Sequence, residues 1–441
     1  MRRIIKPLAT LAMTAIFGLT AMQTAFASPV NSGGAAVAVD QDHPVQIAVT
    51  KVLQMPTGTA VPTGSFFFDF APVSVDDATS GDDFDAMPPI GTDGTVEVDF
   101  SASDATSLNT TGLDTYYVES RDVFASVTFP HAGVYVYDVT ESDTTNDTIG
   151  ADPVHETLTY SGASYEMSVY VDNKDDGGTY VAAVGIEQLT TDGGAKGSGK
   201  VDGSLGGDQE EYFYSQMTFT NTYVHTNGAP NPDNPNPLTD STLSIGKLVD
   251  GGLANEDQYF DFTLTLTAPS LIPTDDVPTY YKAYVVEKGA VIDPSSNASS
   301  TLIQTGQKPN NYSYITVSTS DPTDIQLRHG QSLVFINTPV GTQYTVSEAA
   351  ASGYQPTYVV TTAGTPASEV DGTTGQSLEV SNQLVGEGVN TTVFTNNRDI
   401  VTATGLTMNN LPFVGIIGLI VLALVGYVVF KSRQRAAQHN R

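Results

Sequence analysis

Hydrophobic and polar residues alternate with a period of two over many short stretches of this chain. Residues 45–53 and 217–223 are two such runs, and clusters of Gly, Asp, Asn and Pro separate them from their neighbours. Successive side chains of a strand point to opposite faces of a sheet, so each run predicts a strand with one apolar face. No run of comparable length has the helical period. The pattern therefore predicts an all-β fold made of β-sandwiches.

A proline-rich segment divides this pattern into two halves. Residues 226–240 contain four closely spaced prolines and lack apolar periodicity, which indicates a semi-rigid extended linker. Residues 28–225 and residues 241–399 each have the size of a single domain. We therefore predict an N-terminal and a C-terminal all-β domain in tandem, joined by this linker.

Each half directs the same three polar residue types toward the apolar face of a predicted strand. In the order lysine, glutamate, asparagine they are Lys51, Glu141 and Asn221 in the first half, and Lys247, Glu348 and Asn396 in the second. A single inward lysine or glutamate has an ordinary explanation, a salt bridge or a strand-end side chain that reaches water. Burying an unpaired charge costs several kcal/mol. Two copies of all three residues in the same order therefore indicate a shared chemical role.

Both ends of the chain carry targeting features. Basic residues, an apolar run and Ala25-Phe26-Ala27 form a signal peptide over residues 1–27, with cleavage after Ala27 and secretion of the rest. Residues 411–430 contain no charged residue and basic residues follow them, which predicts a transmembrane helix with a cytoplasmic tip. The precursor is therefore expected to be membrane-bound at the cell surface.

Charge and composition exclude several function classes. The chain carries 49 acidic residues against 18 lysines and arginines, a formal net charge of -31, which argues against a nucleic-acid partner. It contains no cysteine, so disulfides and thiol-dependent functions are excluded. The aspartate-rich loops and the histidines lack metal-ligand spacing, and no catalytic triad or phosphate loop stands out. We predict no metal, no cofactor and no enzyme in the usual sense.

The C-terminal residues 400–441 resemble the cell-wall sorting signal of Gram-positive surface proteins. Residues 401–405, Val-Thr-Ala-Thr-Gly, precede the span and are similar to the signal of streptococcal-type major pilins, apart from an alanine where those pilins have proline. The resemblance implies that a sortase cleaves between Thr404 and Gly405. The alternative motif at residues 411–415, Leu-Pro-Phe-Val-Gly, lacks the threonine and lies inside the apolar span.

The two halves resemble the isopeptide-linkage domains of streptococcal-type pilins and, more distantly, the collagen-adhesin B-type (Cna-B-like) domains. Thr-Lys-Val at 50–52, Gly-Lys-Leu at 246–248, the Val-x-Glu strands and Phe-Thr-Asn at 219–221 and 394–396 carry the resemblance. It implies two tandem immunoglobulin-like/Cna-B-like β-sandwiches. It also implies autocatalytic bonds of a single turnover, Lys51–Asn221 promoted by Glu141 and Lys247–Asn396 promoted by Glu348.

Physical chemistry gives a reason for these residue types. Burial lowers the pKa of a lysine and raises that of a glutamate, so the pair can exist as a neutral amine and a neutral acid. The amine is then a nucleophile, and the acid can polarise the asparagine amide and transfer protons as ammonia leaves.

The function implied is a structural pilus subunit, the shaft pilin, on the wall of a Gram-positive cell. Its implied partners are a class C-type sortase, further copies of itself, minor pilins and peptidoglycan, and a host ligand is left open. Candidate acceptors for the next subunit are Lys174, Lys196 and Lys200, although a solvated loop lysine is the ordinary reading of each. The last two lie in a Gly/Ser-rich segment, residues 193–207, that we expect to be flexible.

Two other functions stay open on the sequence. The first is a wall-anchored adhesin or minor pilin that is not polymerised, which shares every feature except the acceptor lysine. The second is a surface enzyme or carbohydrate-binding module on the same anchor, which requires a cleft with convergent polar groups.

Overall fold

The structure, a computed structural model, describes residues 39–399 except 111–112, 146–148, 153–154, 202–216, 227–235, 270, 272–276 and 307–310. The described chain is almost entirely β-structure in two modules, the first module over residues 39–226 and the second module over residues 236–399. The prediction of an all-β chain is confirmed. The predicted signal peptide, the sorting signal with its span, and most of the linker lie outside the described residues. Within them, no helix has the length and hydrophobicity needed to cross a bilayer.

The strands of the first module form a five-stranded and a six-stranded sheet. They are β1 (Val49–Pro56), β2 (Gly64–Val75), β3 (Thr95–Phe100), β4 (Thr106–Thr110), β5 (Leu113–Glu119), β6 (Gly133–Thr145), β7 (Glu156–Thr159), β8 (Ser164–Asn173), β9 (Thr179–Thr190), β10 (Lys196–Val201) and β11 (Met217–His225), with a short helix α1 (Asp82–Asp85) after β2. The sheet orders are β4-β5-β1-β11-β7 and β10-β9-β8-β6-β2-β3.

The second module also contains two sheets. Its strands are β12 (Leu243–Asp250), β13 (Phe260–Thr267), β14 (Tyr280–Glu287), β15 (Ala290–Val291), β16 (Ile303–Thr305), β17 (Ser313–Ser318), β18 (Thr323–Leu327), β19 (Gln331–Phe335), β20 (Gln343–Glu348), β21 (Gln355–Thr362), β22 (Thr365–Pro366), β23 (Val370–Asp371), β24 (Leu378–Leu384) and β25 (Thr391–Asn397), with a 3-10 turn at Pro294–Ser296. The larger sheet runs β16-β17-β14-β19-β12-β25-β21-β22 with β15 and β23 at its side, and the smaller runs β18-β13-β20-β24.

Each module has its own hydrophobic core between its two sheets. Alternation supplies it: on β6, Tyr135, Tyr137 and Val139 are fully buried while the residues between them face outward or are partly exposed. Across the gap, the rings of Phe68 on β2 and Phe219 on β11 lie 4.9 Å apart. Full burial of one such side chain contributes about 1.5–3 kcal/mol, so the period-two pattern specifies both the strand and its buried face.

The first and last strands of each module are parallel neighbours. β1 pairs with β11, and β12 pairs with β25, although each pair joins opposite ends of its module. In register, Lys51 lies opposite Phe219 and Lys247 lies opposite Phe394. The predicted glutamates lie on the other sheet of each module, on β6 and β20. This topology brings the ends of the module to one place in its core.

One local prediction is wrong. The Gly/Ser-rich residues 196–201, expected to be flexible, form the edge strand β10 and pair with β9, so Lys196 and Lys200 lie on a strand. Gly197 allows β10 to lie close to β9, because a Cβ at this position would be 2.0 Å from the carbonyl oxygen of Gln188. Residues 202–207 of that segment lie outside the described part.

The two modules contact each other where the first one ends. The main-chain N–H of Val340 donates to the carbonyl of His225 at 2.9 Å. The Glu387 carboxylate accepts from the main-chain N–H of Ala60 at 2.8 Å and lies 3.3 Å from the His225 imidazole. These contacts join loops of the second module to the first beside the linker.

Candidate functional site: two buried lysine–glutamate–asparagine sites

The three residues predicted for the first half converge in the core of the first module. Lys51 Nζ donates to Glu141 Oε1 at 2.6 Å, and Asn221 Nδ2 donates to the same oxygen at 2.9 Å. The side chains of Lys51 and Glu141 are both 0% exposed. A nucleophile, an amide and a carboxyl group therefore meet out of contact with water; we call this the first site.

The second module repeats the arrangement on its own strands. Lys247 Nζ donates to Glu348 Oε1 at 2.9 Å, and Asn396 Nδ2 donates to that oxygen at 2.5 Å. The lysine and glutamate side chains are 0% and 1% exposed. We call this the second site. In both sites one carboxylate oxygen accepts from the lysine Nζ and from the asparagine Nδ2. In an amide exchange, Nζ would replace Nδ2 on the asparagine Cγ.

Aromatic rings form the walls of both sites. Lys51 Nζ lies 4.5 Å from the centroid of Phe66, and Lys247 Nζ lies 4.4 Å from that of Phe260. The ring faces stabilise an ammonium group weakly, but they offer no hydrogen bond to replace water. The lysines are therefore held in apolar surroundings with one carboxylate each.

Burial shifts the protonation equilibria in the direction that the chemistry requires. Loss of hydration lowers the pKa of Lys51 and of Lys247 to about 8 in each case, against the opposing attraction of the neighbouring glutamate. Burial also raises the pKa of Glu348, more than its contacts with Lys247 and Asn396 lower it. Neutral amine is thus accessible near neutral pH, which an exposed lysine does not provide.

The two sites differ at the asparagine carbonyl. In the first site the main-chain N–H of Ser161 donates to Asn221 Oδ1 at 2.7 Å and lies 3.2 Å from Glu141 Oε2. In the second site Asn396 Oδ1 and Glu348 Oε2 are buried without a hydrogen-bond partner among the described residues. Sequence reasoning missed Ser161, because a main-chain donor leaves no signature in residue type.

The remaining predicted residues lie away from these cores. Lys196 and Lys200 are exposed on β10, and Lys174 is half-buried in the hairpin turn between β8 and β9. Thr404 and Gly405, the predicted cleavage site, lie outside the described residues. In the described part of the chain no group of His, Cys, Asp or Glu side chains is arranged to hold a metal ion.

Two family models match the chain. Residues 47–224 match the family described as Spy0128-like isopeptide containing domain, and residues 241–398 match a domain of unknown function (DUF7601). The region that matches the first of these models contains the first site. Over residues 47–224 the chain is therefore similar to the Spy0128-like isopeptide containing domain, and the resemblance to Gram-positive pilins is confirmed.

Solved structures with similarity to the chain include pilus proteins. The major pilin from Streptococcus pyogenes is 21% identical, with 80% of this chain and 99% of that chain covered and a TM-score of 0.30. The major pilin protein (T3.2) of the same organism is 18% identical over 79% and 98%, with a TM-score of 0.28. A pilus-presented adhesin, Spy0125 (Cpa), is 12% identical over 49% and 36%, with a TM-score of 0.21. No curated protein matches the chain.

Proposed function

We propose that this chain is a structural pilus subunit, the shaft pilin, in which each module is an immunoglobulin-like/Cna-B-like sandwich closed by its own Lys–Asn isopeptide bond. The observation that carries the proposal is the presence of the same buried site in both modules, at the same place in the topology. A salt bridge alone does not explain the asparagine at each carboxylate. The bonds are Lys51–Asn221 and Lys247–Asn396.

The reaction replaces one amide by another. The lone pair of the neutral lysine Nζ attacks Cγ of the asparagine, the carbonyl electrons move to Oδ1, and the glutamate takes a proton from Nζ. The same glutamate then gives that proton to Nδ2, which leaves as ammonia while the C=O bond re-forms. Holding the reactants in contact supplies about 7–11 kcal/mol of the barrier, so a single turnover needs no external enzyme. Glu141 and Glu348 are the proton carriers.

The position of the bonds suits a protein that carries tension. Each bond ties the first strand of a module to its last, so force applied along the chain passes through the cross-link. The strands between the cross-linked residues are then outside the path of the load. Without this bond the first and last strands would be held by non-covalent contacts alone, because the chain has no cysteine to form a disulfide.

Assembly would use the two ends of the precursor. After secretion, a class C-type sortase cleaves between Thr404 and Gly405 and joins the threonine to a lysine of the next copy, with minor pilins and peptidoglycan as further partners. Lys174, Lys196 and Lys200 remain the candidate acceptors, and the exposure of Lys196 and Lys200 leaves both accessible to an enzyme. The mature protein is then a wall-anchored component of the cell surface.

Intact-mass measurement tests the proposal. The secreted chain should weigh less than its sequence by two molecules of ammonia. Digestion should yield two branched peptides, one joining the strands of Lys51 and Asn221 and one joining those of Lys247 and Asn396. A mass equal to that of the uncross-linked sequence would overturn the proposal.

A further inference from the structure

The carbonyl group of Asn221 accepts a hydrogen bond from the main chain in the first site, and the described residues offer no equivalent donor in the second. We infer that the N–H of Ser161 is the oxyanion donor for the Lys51–Asn221 reaction, and that the second site relies on the Glu348 acid for the same task. The asparagine carbonyl would then be polarised by a main-chain N–H in the first site and by a glutamic acid in the second. This inference rests on the proposed function, because it requires that the bonds form.

Hydrogen bonding fixes the orientation of the Asn221 amide. Oδ1 accepts from the Ser161 N–H at 2.7 Å, and Nδ2 donates to Glu141 Oε1 at 2.9 Å. A rotation of the amide by 180° would set Nδ2 against the Ser161 N–H, donor against donor. The carbonyl oxygen therefore faces the main chain, and Glu141 Oε1 faces the attacking and the leaving nitrogen. A donor at 2.7 Å from the oxygen that gains charge is the geometry of an oxyanion hole.

Hydrogen bonds to Asp192 fix the position of the Ser161 donor. Ser161 lies in the connection between β7 and β8, at the point where β7 stops pairing with β11. The carboxylate of Asp192, in the turn between β9 and β10, accepts from Ser161 Oγ at 2.5 Å and from the N–H of Thr220 at 2.8 Å. Its carbonyl accepts from the N–H of Gly162 at 2.7 Å. Asp192 thus ties Ser161 to the strand residue that precedes Asn221 and is a positioning residue.

In the reaction the protons and electrons balance within the site. As Nζ of Lys51 bonds to Cγ of Asn221, negative charge develops on Oδ1, where the Ser161 N–H holds it. Glu141, as carboxylate, takes one proton from Nζ and delivers it to Nδ2. Ammonia leaves when the electrons on Oδ1 return to the C=O bond, and Glu141 is again a carboxylate. Glu141 never has to donate to the carbonyl oxygen.

Among the described residues the second site has no such donor, and its strand register differs from that of the first site. β7 ends its pairing with β11 at Thr222, before it reaches Asn221, whereas β21 remains paired with β25 alongside Asn396, where the residue opposite is Pro356. Asn396 Oδ1 is buried and without a partner in the described part of the chain. Polarisation of that carbonyl must then come from a protonated Glu348, the form that burial favours. Its hydrogen would pass to Oδ1 while its other oxygen takes the proton from Lys247 Nζ and delivers it to Nδ2, and Oδ1 would return its hydrogen to Glu348 as ammonia leaves.

The test follows both bonds in one chain. The full chain, isolated unfolded in urea from inclusion bodies, is folded by dilution and quenched at intervals, and the two branched peptides are quantified by mass spectrometry. Ser161→Pro removes the N–H, and Ser161→Ala keeps it. We expect Ser161→Pro to slow formation of the Lys51–Asn221 bond by about 10²–10³-fold, the usual effect of losing one oxyanion donor. Ser161→Ala keeps the N–H and loses only the Oγ contact with Asp192, so it should slow the bond far less and no more than Asp192→Ala does. The Lys247–Asn396 bond is the internal control and should keep its rate.

A second pair of variants covers the case in which proline prevents folding, which protease resistance of the first module would reveal. Asp192→Ala should slow the first bond alone, while Asp192→Asn, which keeps the acceptor oxygen, should restore most of the rate. If a folded Ser161→Pro chain forms its first bond at the original rate, or if Asp192→Ala has no effect where proline cannot be tested, the inference is wrong although the proposed function stands. If the unsubstituted chain forms neither bond, the proposed function itself fails.

Discussion

Lys51 and Asn221 lie on the same core-facing side of two parallel strands, offset by two residues. Leu53, not Lys51, is the register partner of Asn221, and Val249, not Lys247, is that of Asn396. The identical offset in both modules gives the lysine side chain a diagonal path to the asparagine across the face of the sheet. A glutamate from the opposite sheet then meets both side chains from above.

Removal of a glutamate should block one bond at a time. In Glu348→Ala the Lys247 ammonium loses its proton acceptor, so we expect the second branched peptide to disappear and the intact mass to rise by one ammonia. Glu141→Ala should do the same to the first bond. Glu379→Ala, an exposed glutamate of the second module, is the matched control and should leave both bonds intact. Persistence of the second bond in Glu348→Ala would show that the proton carrier is misassigned.

Loss of a bond should lower stability without preventing folding, because the hydrophobic cores remain. Asn396→Ala leaves Lys247 paired with Glu348 but removes the cross-link between β12 and β25. By analogy with disulfides, which close chain loops in the same way, we expect a loss of about 2–5 kcal/mol in the free energy of unfolding. Calorimetry of the variant beside the exposed control Asn337→Ala, shortly after β19, measures it. An unchanged transition temperature in Asn396→Ala would contradict a stabilising cross-link.

Fold and site were predictable from the sequence to different extents. The phase of Lys51, Glu141 and Asn221 within alternating runs was enough to place them in the core, because a strand has only two faces. The strand β10 was not predictable, because a glycine-rich sequence is compatible with a flexible loop and also with a strand packed closely against its neighbour. Ser161 was beyond reach for another reason: its contribution is a main-chain N–H, set by where β7 ends and by Asp192 from a distant turn.

The pH dependence of bond formation should differ between the sites. In the first site the reactive form has a neutral Lys51, whose pKa is lowered to about 8, and a Glu141 carboxylate. Each pH unit below that value reduces the neutral amine about tenfold, so the rate should rise with pH and level off above about 8. In the second site Glu348 must keep its proton while Lys247, also at about 8, is neutral. The one proton of that pair is lost as pH rises through about 8, so the rate should fall there.

Folding by dilution into buffers from pH 6 to 10, with quantification of both branched peptides, measures the two profiles in the same samples. Ser161→Pro should change the first profile toward the second, because the carbonyl would then need a protonated acid. The same pH dependence for both bonds in the unsubstituted chain would refute the inference that the two sites polarise the carbonyl differently.

Polymerisation is the last property to test, and it depends on the residues beyond the described part of the chain. A transpeptidase needs an extended motif outside the bilayer. From the sequence we expect residues 401–405 to provide it, because residues 411–415 fall inside the predicted transmembrane span, where a helix would hide the main chain. In a Gram-positive host with a class C-type sortase, the chain should form a ladder of covalent multimers that survives boiling in detergent. Thr404→Ala should abolish the ladder and leave membrane-bound monomer, while Val414→Ala should change little.

The acceptor lysine can be identified in the same assay by replacing Lys174, Lys196 and Lys200 with arginine one at a time. Arginine keeps the charge but is not nucleophilic at neutral pH, so a lost ladder reports the missing amine rather than altered folding. Lys196 and Lys200 are only four residues apart on the edge strand β10, so each is a close control for the other. We expect one of the three variants to stay monomeric with both isopeptide bonds formed. If all three polymerise, the acceptor lies elsewhere, and if the unsubstituted chain forms no ladder, the protein acts as an anchored adhesin or minor pilin instead.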